Sequence, residues 1–192
     1  SGLYAEAIRS LQGHVLLARV GERHARVVLV TSSQPGEGKT ATAASLARIF
    51  AMGGYRTVLI DADMHNPTVH EALGMRRLPG LADLLVGRAA FQHVIRRDTA
   101  SHAHVIQAGT PISNTTAALA SSQMQWVLTA LQQTYDYIII DSPAALATAD
   151  AQVLAKLADV TVLAVKWSET NRKTVLRALK MPSAASSRRG GI

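Results

Sequence analysis

Five short apolar runs recur along the chain, each bounded by polar or turn-forming residues. Runs of this length that are rich in valine, isoleucine and leucine are typical of strands. Three of them, at 27–30, 137–140 and 160–165, are almost continuously apolar, which predicts strands covered on both faces in a parallel sheet. The predicted strands are 26–31, 56–60, 104–107, 137–140 and 160–165.

Between these runs the apolar positions recur every three or four residues, which is the spacing of amphipathic helices. This pattern predicts a helix over 39–51 that stops before Gly53 and Gly54, and further helices around 124–131, 154–157 and 175–179. Residues 3–20 are also predicted to be helical, as a segment ahead of the first strand. The alternation of strands and helices predicts an α/β fold with a doubly wound, mainly parallel sheet, whose ligands lie beyond the carboxyl ends of the strands.

Composition narrows the class of protein. With 192 residues, 48% hydrophobic and 17% charged, the chain is long enough and apolar enough for one compact domain. The absence of cysteine excludes disulfides and thiolate metal sites. The net charge of +7 is compatible with binding to nucleic acid, with binding to an acidic membrane surface, or with a generally basic chain. The basic pairs are scattered and aromatic residues make up only 4% of the chain, which argues against nucleic-acid binding.

The strongest chemical signal is the segment 28–40, which reads VLVTSSQPGEGKT. An apolar strand leads into a Gly-rich turn, and a lysine and a threonine then open a helix. Amides at such a helix start donate to phosphate oxygens, the lysine reaches the β- and γ-phosphates, and the threonine hydroxyl binds Mg²⁺. Ser33 stands where the usual pattern has its first glycine. The predicted nucleotide-binding residues are Gly36, Glu37, Gly38, Lys39, Thr40 and Ala41.

Two more strands run directly into aspartates. The segment 57–67, TVLIDADMHNP, places Asp61 and Asp63 two residues apart, and the segment 137–143, YIIIDSP, delivers Asp141. Carboxylates beside a magnesium nucleotide hold the ion or accept a proton from the attacking hydroxyl. We therefore expect ATP or ADP with Mg²⁺ as cofactors. The predicted catalytic residues are Lys39, Asp61 and Asp63, and the predicted metal-site residues are Thr40, Asp61 and Asp141.

These three segments together resemble the bacterial tyrosine kinases, the cytoplasmic part of polysaccharide co-polymerases that control capsule and exopolysaccharide export. The likeness covers most of the chain and includes EAIRSL at 6–11 and PGLADLLVGRAAFQHVI at 79–95. It implies a P-loop NTPase fold of the partition-ATPase-like type. The partition ATPases themselves carry an extra lysine early in the phosphate loop, where this chain has Ser33 and Gln34.

The resemblance also implies an activity, partners and a location. It implies an ATP-dependent autokinase that acts on a tyrosine-containing protein, forms ring-like homo-oligomers and works with an inner-membrane polysaccharide co-polymerase segment or activator. The implied location is the cytoplasmic side of the bacterial inner membrane. In this interpretation residues 1–24 are a helical oligomerisation segment and residues 25–192 are the kinase domain, truncated at its C-terminus.

The chain departs from the family pattern at several positions. His65 replaces an arginine, Gln12 replaces a basic residue, and Thr115 and Ala117 replace a proline and a glutamate. The family phosphorylates a C-terminal tyrosine cluster, whereas the last tyrosine here is Tyr137. Two alternatives therefore stay open: a partition-type ATPase that switches state by hydrolysis, and a degenerate module that binds nucleotide and assembles without kinase activity.

Overall fold

The structure is a computed structural model and describes residues 2–180. The end of the predicted second unit, residues 181–192, lies outside the described part. The helices are α1 (Gly2–Leu17), α2 (Lys39–Met52), α3 (Val69–Ala72), α4 (Leu81–Leu85), α5 (Phe91–Val94), α6 (Thr115–Leu119), α7 (Ser122–Thr134), α8 (Ala149–Leu157) and α9 (Arg172–Leu179). The strands are β1 (Arg19–Val20), β2 (Arg23–His24), β3 (Val27–Ser32), β4 (Thr57–Asp61), β5 (Ile95–Arg97), β6 (His104–Ile106), β7 (Tyr137–Asp141) and β8 (Val160–Ala164).

Within residues 2–180, six strands form one sheet in the order β5-β6-β4-β7-β3-β8. Every neighbouring pair is parallel except β5 with β6. The central strands β3, β4 and β7 are buried along their whole length, as predicted for β3 and β7. The prediction that the run at 160–165 is covered on both faces is wrong, because β8 is an edge strand and is only partly buried. The structure confirms the predicted doubly wound, mainly parallel α/β fold.

The two faces of the sheet pack against different helices. Successive strand side chains point to opposite faces, so Val28 and Val30 pack with α2 on one face, while Leu29 belongs to the core on the other. On the first face Leu46 and Phe50 of α2 are completely buried. On the second face α4, α7 and α8 contribute the apolar side chains. The sheet is therefore covered on both sides, and its chemically important groups gather at the carboxyl ends of the strands.

Two local predictions need correction. The helix predicted over 3–20 ends at Leu17, because Arg19 and Val20 pair with Arg23 and His24 in a small antiparallel hairpin around Gly21. The half-buried Val20 continues the helical spacing by coincidence, since one apolar residue fits either period. Strand β5 was not predicted, because its three residues include two arginines and lack the apolar pattern of a buried strand.

An ion pair ties α2 to the β5–β6 edge of the sheet. Arg48 donates to both carboxylate oxygens of Asp98, from Nε at 2.8 Å and from Nη2 at 3.0 Å, and Ser101 adds a hydroxyl donor at 2.6 Å. Asp98 is buried, and the hydrogen bonds from Arg48 lead the effects that hold its pKa below its usual range. The carboxylate thus contributes stability as long as it is ionised.

We expect Asp98→Asn to lower the free energy of unfolding at neutral pH by about 1–2 kcal/mol, since Arg48 stays about one-third exposed and solvent screens the pair. Because the folded pKa is depressed, this contribution is complete above the unfolded pKa of about 4 and is lost as the pH falls through the folded value. Denaturant melts of both proteins at a series of pH values should therefore converge in acid. A gap that is constant with pH would contradict this explanation.

Candidate functional site

The phosphate loop joins β3 to α2. Gly36 and Gly38 have φ angles of 84° and 83°, in the left-handed region that favours glycine. A Cβ at either position would have no other atom within 4 Å. The positive φ angle, and not a lack of space, therefore favours glycine at both positions. In the first turn of α2, Thr42 N donates to Gly38 O at 2.9 Å, and the amides ahead of Thr42 precede the helical hydrogen bonds of α2. The loop has the backbone geometry that the predicted anion site requires.

The side chain of Glu37 forms hydrogen bonds within this loop and with the segment after β8. Its Oε2 accepts from the Ser33 hydroxyl at 2.7 Å and from the Gln34 amide at 2.7 Å. Its Oε1 accepts from the Lys166 amide at 3.3 Å and from the Thr170 hydroxyl. Burial raises the pKa of Glu37, but these four hydrogen bonds outweigh burial and the net pKa is lowered. Ser33, at the position of the usual first glycine, therefore stabilises the loop through its hydrogen bond to Glu37.

Thr40 and Asp141 meet at the start of α2. The Thr40 hydroxyl donates to Asp141 Oδ2 at 2.7 Å and lies 3.0 Å from the Thr68 hydroxyl. Asp141 is fully buried, and within residues 2–180 its Oδ1 has no hydrogen-bond partner. Burial raises its pKa to about 6, although Lys39 and the Thr40 hydrogen bond pull it down. A buried carboxylate oxygen without a partner beside a hydroxyl is an arrangement that a hard cation or its water would complete.

Asp61 lies directly beside Asp141, in register on the neighbouring strand. Its Oδ1 accepts from the Asp63 amide at 3.1 Å and its Oδ2 from the Val69 amide at 3.2 Å. Burial, followed by the charge of Asp141, raises the pKa of Asp61 to about 8. Both oxygens thus already hold the turn after β4. Each keeps a second lone pair, so the predicted metal role of Asp61 stays a prediction.

Asp63 forms an ion pair with Lys39. The Nζ of Lys39 lies 3.0 Å from Asp63 Oδ2, and both side chains are largely buried. Asp63 Oδ1 accepts from the Asn66 amide at 3.0 Å, which fixes the carboxylate. Lys39 thus joins Asp63, and its charge also lowers the pKa of Asp141. The predicted contact of Lys39 with phosphates stays a prediction.

Asp150 is a further buried carboxylate, lies beside His65 and was not predicted as a site residue. It is fully buried and accepts from Thr115 Oγ1 at 2.7 Å and from the hydroxyl of Thr116. His65 Nε2 lies 3.1 Å from Asp150 Oδ2 and 3.0 Å from Thr115 Oγ1. No local spacing could reveal this cluster, because Asp150 is 85 residues from His65 and 35 from Thr115.

Some of these groups line a cavity of about 180 Å³ at the carboxyl ends of β3, β4 and β7. Its polar lining includes Lys39, Asp63, His65 and Asn66, and Gly36 of the phosphate loop closes one side. The lining of the cavity thus combines a lysine paired with a carboxylate, an imidazole and part of the phosphate loop. Such a site can hold an anionic phosphate and offer a carboxylate base to an incoming hydroxyl.

The residues present fit a magnesium nucleotide. Asp141 Oδ1, which has no hydrogen-bond partner among the described residues, and the Thr40 hydroxyl both offer oxygen ligands, which Mg²⁺ prefers. The loop amides and Lys39 supply the positive end for phosphates. The structure therefore brings all the predicted site residues to one edge of the sheet.

Comparison with known proteins places the chain in a family. Residues 25–180 match the AAA domain family AAA_31. The chain is 33% identical to tyrosine-protein kinase YwqD of Bacillus subtilis over 97% of this chain and 78% of that protein. It is 34% identical to tyrosine-protein kinase CpsD of Streptococcus pneumoniae over 80% of this chain and 68% of that protein.

A solved structure agrees with these relatives. The kinase domain of the Escherichia coli tyrosine kinase ETK superposes with a TM-score of 0.87 at 26% identity, over 92% of this chain and 69% of that one. Its fold is thus shared over nearly the whole of the present chain. By sequence and by structure, the chain belongs to the bacterial tyrosine kinases.

Proposed function

We propose that this chain is an ATP-dependent protein-tyrosine kinase domain that acts in the control of exopolysaccharide or capsule synthesis and export. The observation that carries the proposal is the pairing at one sheet edge of Lys39 with Asp63 and of Thr40 with Asp141. This arrangement combines a phosphate cradle, a cation site and a carboxylate base. Family membership supports tyrosine as the acceptor.

The phosphates of ATP would lie on the amides of 36–41, with Thr40 and Asp141 holding Mg²⁺. The ion, when bound, offsets charge on the phosphate oxygens. Lys39 would exchange its contact with Asp63 for the phosphates, because a phosphate group carries more negative charge than one carboxylate. This exchange would release Asp63 Oδ2 as a proton acceptor.

Asp63 would then accept the proton of the tyrosine hydroxyl. Its other oxygen stays fixed by the Asn66 amide, so the carboxylate keeps its orientation when Lys39 leaves. Asp61 would support this group through its bond to the Asp63 amide. In this scheme Asp63 is the base, and Asp61 shapes the turn and stands beside the metal site.

The setting that we propose follows from the family and not from the fold alone. Within residues 2–180, no helix is both long and apolar enough to cross a membrane. We propose that the domain works at the cytoplasmic face of the inner membrane, in homo-oligomers and with a co-polymerase segment or activator. The net charge of +7 favours a position near acidic lipid headgroups. We also propose residues 1–24 as an assembly segment and 25–192 as the catalytic domain.

The proposal is tested by phosphate transfer. The full-length protein is incubated with γ-labelled ATP, Mg²⁺ and a tyrosine-containing copolymer, beside its Lys39→Met and Asp63→Asn variants. We expect phosphotyrosine with the wild-type protein and strongly reduced labelling with both variants. Equal labelling by all three proteins would exclude this site as the source of the activity.

His65 should contribute to acceptor binding. Its ring is held by Asp150 at the cavity wall, and about half of the side chain remains exposed. We expect His65→Ala to raise the KM for the tyrosine substrate by about 3–10-fold, the loss of one modest polar contact, while the KM for ATP changes little. Steady-state kinetics in each substrate measure this. A change confined to the KM for ATP would place His65 on the nucleotide instead.

A further inference from the structure

The four tyrosines of the chain differ greatly in access to solvent. Tyr135 and Tyr137 are only 4% and 7% exposed, whereas Tyr4 and Tyr55 are 46% and 37% exposed. An acceptor must place its hydroxyl inside the cavity that Lys39 and Asp63 of a kinase site line. A tyrosine of this chain can therefore be a substrate only if its side chain is exposed and its segment can separate from the rest of the domain.

The two buried tyrosines are built into the core. Tyr135 has its hydroxyl 2.6 Å from Nδ1 of His104. Tyr137 lies within β7 and stacks on Phe50 with ring centroids 4.1 Å apart. Neither hydroxyl can enter a second active site unless the domain opens.

Tyr55 is more exposed but is fixed by its surroundings. Its ring packs edge-on against Phe50 and Tyr137, with centroids 5.7 and 5.3 Å away. Its amide donates to Phe50 O at 3.1 Å, and the next residue, Arg56, pairs with Asp136 at 2.7 Å. Presenting Tyr55 would require breaking the turn that leads into β4.

Tyr4 is held far more lightly. All side chains from 2 to 7 are exposed, and the first buried side chain of α1 is Ile8. The hydroxyl of Tyr4 donates to Ala41 O at 3.2 Å and lies 3.1 Å from the Ser45 hydroxyl. Two exposed hydrogen bonds contribute little net stability, so this turn can separate from α2 while Ile8 and Val15 stay packed.

Tyr4 does not face its own catalytic groups. Its contacts Ala41 and Ser45 lie one turn apart on the outer side of α2, whereas Thr40 turns inward to Asp141. The Tyr4 hydroxyl is therefore directed away from the cavity that Lys39 and Asp63 of the same chain line. This orientation favours the active site of another copy over that of its own chain.

We propose that Tyr4 is a phosphorylation site of this chain and that the active site of a second copy modifies it. This inference rests on the proposed kinase function. In the reaction the phenolic oxygen of Tyr4 forms a bond to the γ-phosphorus, the bond from that phosphorus to the β–γ bridging oxygen breaks, and ADP leaves. The phenolic proton passes to Asp63 of the acting copy and then to solvent.

Modification changes how α1 is held. The phosphate ester has no proton to donate to Ala41 O, and its negative charge is repelled by that carbonyl oxygen. Residues 2–7 should then leave α2. Phosphorylation of Tyr4 is thus a device that detaches this segment while the buried part of α1 remains in place.

The experiment separates enzyme from substrate. Full-length Lys39→Met protein serves as the substrate, and an active full-length Tyr4→Phe variant serves as the enzyme, with Mg²⁺ and γ-labelled ATP. Mass spectrometry locates the phosphate on the Lys39→Met chain. We expect Tyr4 to carry at least about ten times more phosphate than Tyr55, and a Lys39→Met/Tyr4→Phe substrate to lose that label. The same enzyme is assayed in parallel on a tyrosine copolymer.

Each other outcome has one meaning. Copolymer labelling without label on Tyr4 overturns this inference and leaves the proposed function intact. Wild-type protein is also incubated alone with Mg²⁺ and γ-labelled ATP, and label on its Tyr4 but not on Tyr4 of the Lys39→Met chain overturns the role of a second copy. Absence of phosphotyrosine from both substrates overturns the proposed function and this inference with it.

Discussion

Replacing Asp63 by asparagine is expected to lower the rate constant for tyrosine phosphorylation by about 10²–10⁴-fold, the usual contribution of a general base. The same change should leave ATP affinity equal or higher. Lys39 is bound to Asp63 in the structure, 3.0 Å away, and the phosphates must compete for it. An amide removes that competition. Transient kinetics for the transfer step and calorimetry for ATP binding measure the two effects separately.

The opposite directions of these effects distinguish a base from a structural residue. Asp98→Asn is a matched control, because it also removes a buried aspartate from an ion pair but lies on the β5–β6 edge. We expect the control to lose stability and to keep the transfer rate. A parallel loss of ATP affinity and rate in Asp63→Asn would show that Asp63 acts on nucleotide binding and not as the base.

Replacing Lys39 by methionine is expected to have the second large effect, a fall of about 10²–10³-fold in transfer rate together with weaker ATP binding. Lys39 lines the cavity, where its ammonium group can bind the oxygens of the phosphate that is being transferred. The variant also leaves Asp63 buried without its partner. We therefore expect the nucleotide-free variant to lose about 1–3 kcal/mol of unfolding free energy.

Lys39→Arg separates charge from shape. Arginine keeps the ion pair with Asp63, so stability should stay close to that of the wild type. Its planar fork cannot reproduce a compact ammonium in a cavity of about 180 Å³, so transfer should still fall. Thermal melts and single-turnover rates on both variants provide the measurement. Full activity of Lys39→Arg would mean that charge alone is required at this position.

Much of the fold could be predicted because its signals are local. Continuous apolar runs marked the central strands, and the residues that follow them were correctly expected to share one sheet edge. The phosphate loop was identified from residue types, since only certain side chains suit a tight anion-binding turn before a helix. Asp141 was predicted as a metal-site residue because it ends an apolar run, and the structure places it at the carboxyl end of the buried strand β7.

The remaining features depend on contacts that no short pattern encodes. The cluster of His65, Asp150 and Thr115 joins three separate segments. The Glu37 carboxylate joins the phosphate loop to Thr170, which is 133 residues away. The direction of β5 follows from its pairing with β6 and not from its own composition. The sequence predicts which functional residues lie at the ends of strands, whereas their contacts with residues distant in sequence are seen only in the structure.

The site geometry also bears on the two alternatives. A partition-type switch and a kinase both need the phosphate loop, Thr40 and Asp141, so these residues do not distinguish the two functions. The difference lies in whether water or a tyrosine hydroxyl attacks. Asp63, with one oxygen fixed by the Asn66 amide and the other paired with Lys39, can serve either nucleophile. A module without activity would retain ADP binding but would show no dependence on Asp63.

The fate of the γ-phosphate in a single turnover tests the central claim most directly. The full-length protein, in excess over labelled Mg·ATP and with a tyrosine-containing acceptor present, is quenched in acid, and label in phosphotyrosine is compared with label in free phosphate. We predict that phosphotyrosine dominates and that it disappears in Asp63→Asn. Label found in free phosphate alone would contradict the kinase assignment and establish hydrolysis as the reaction.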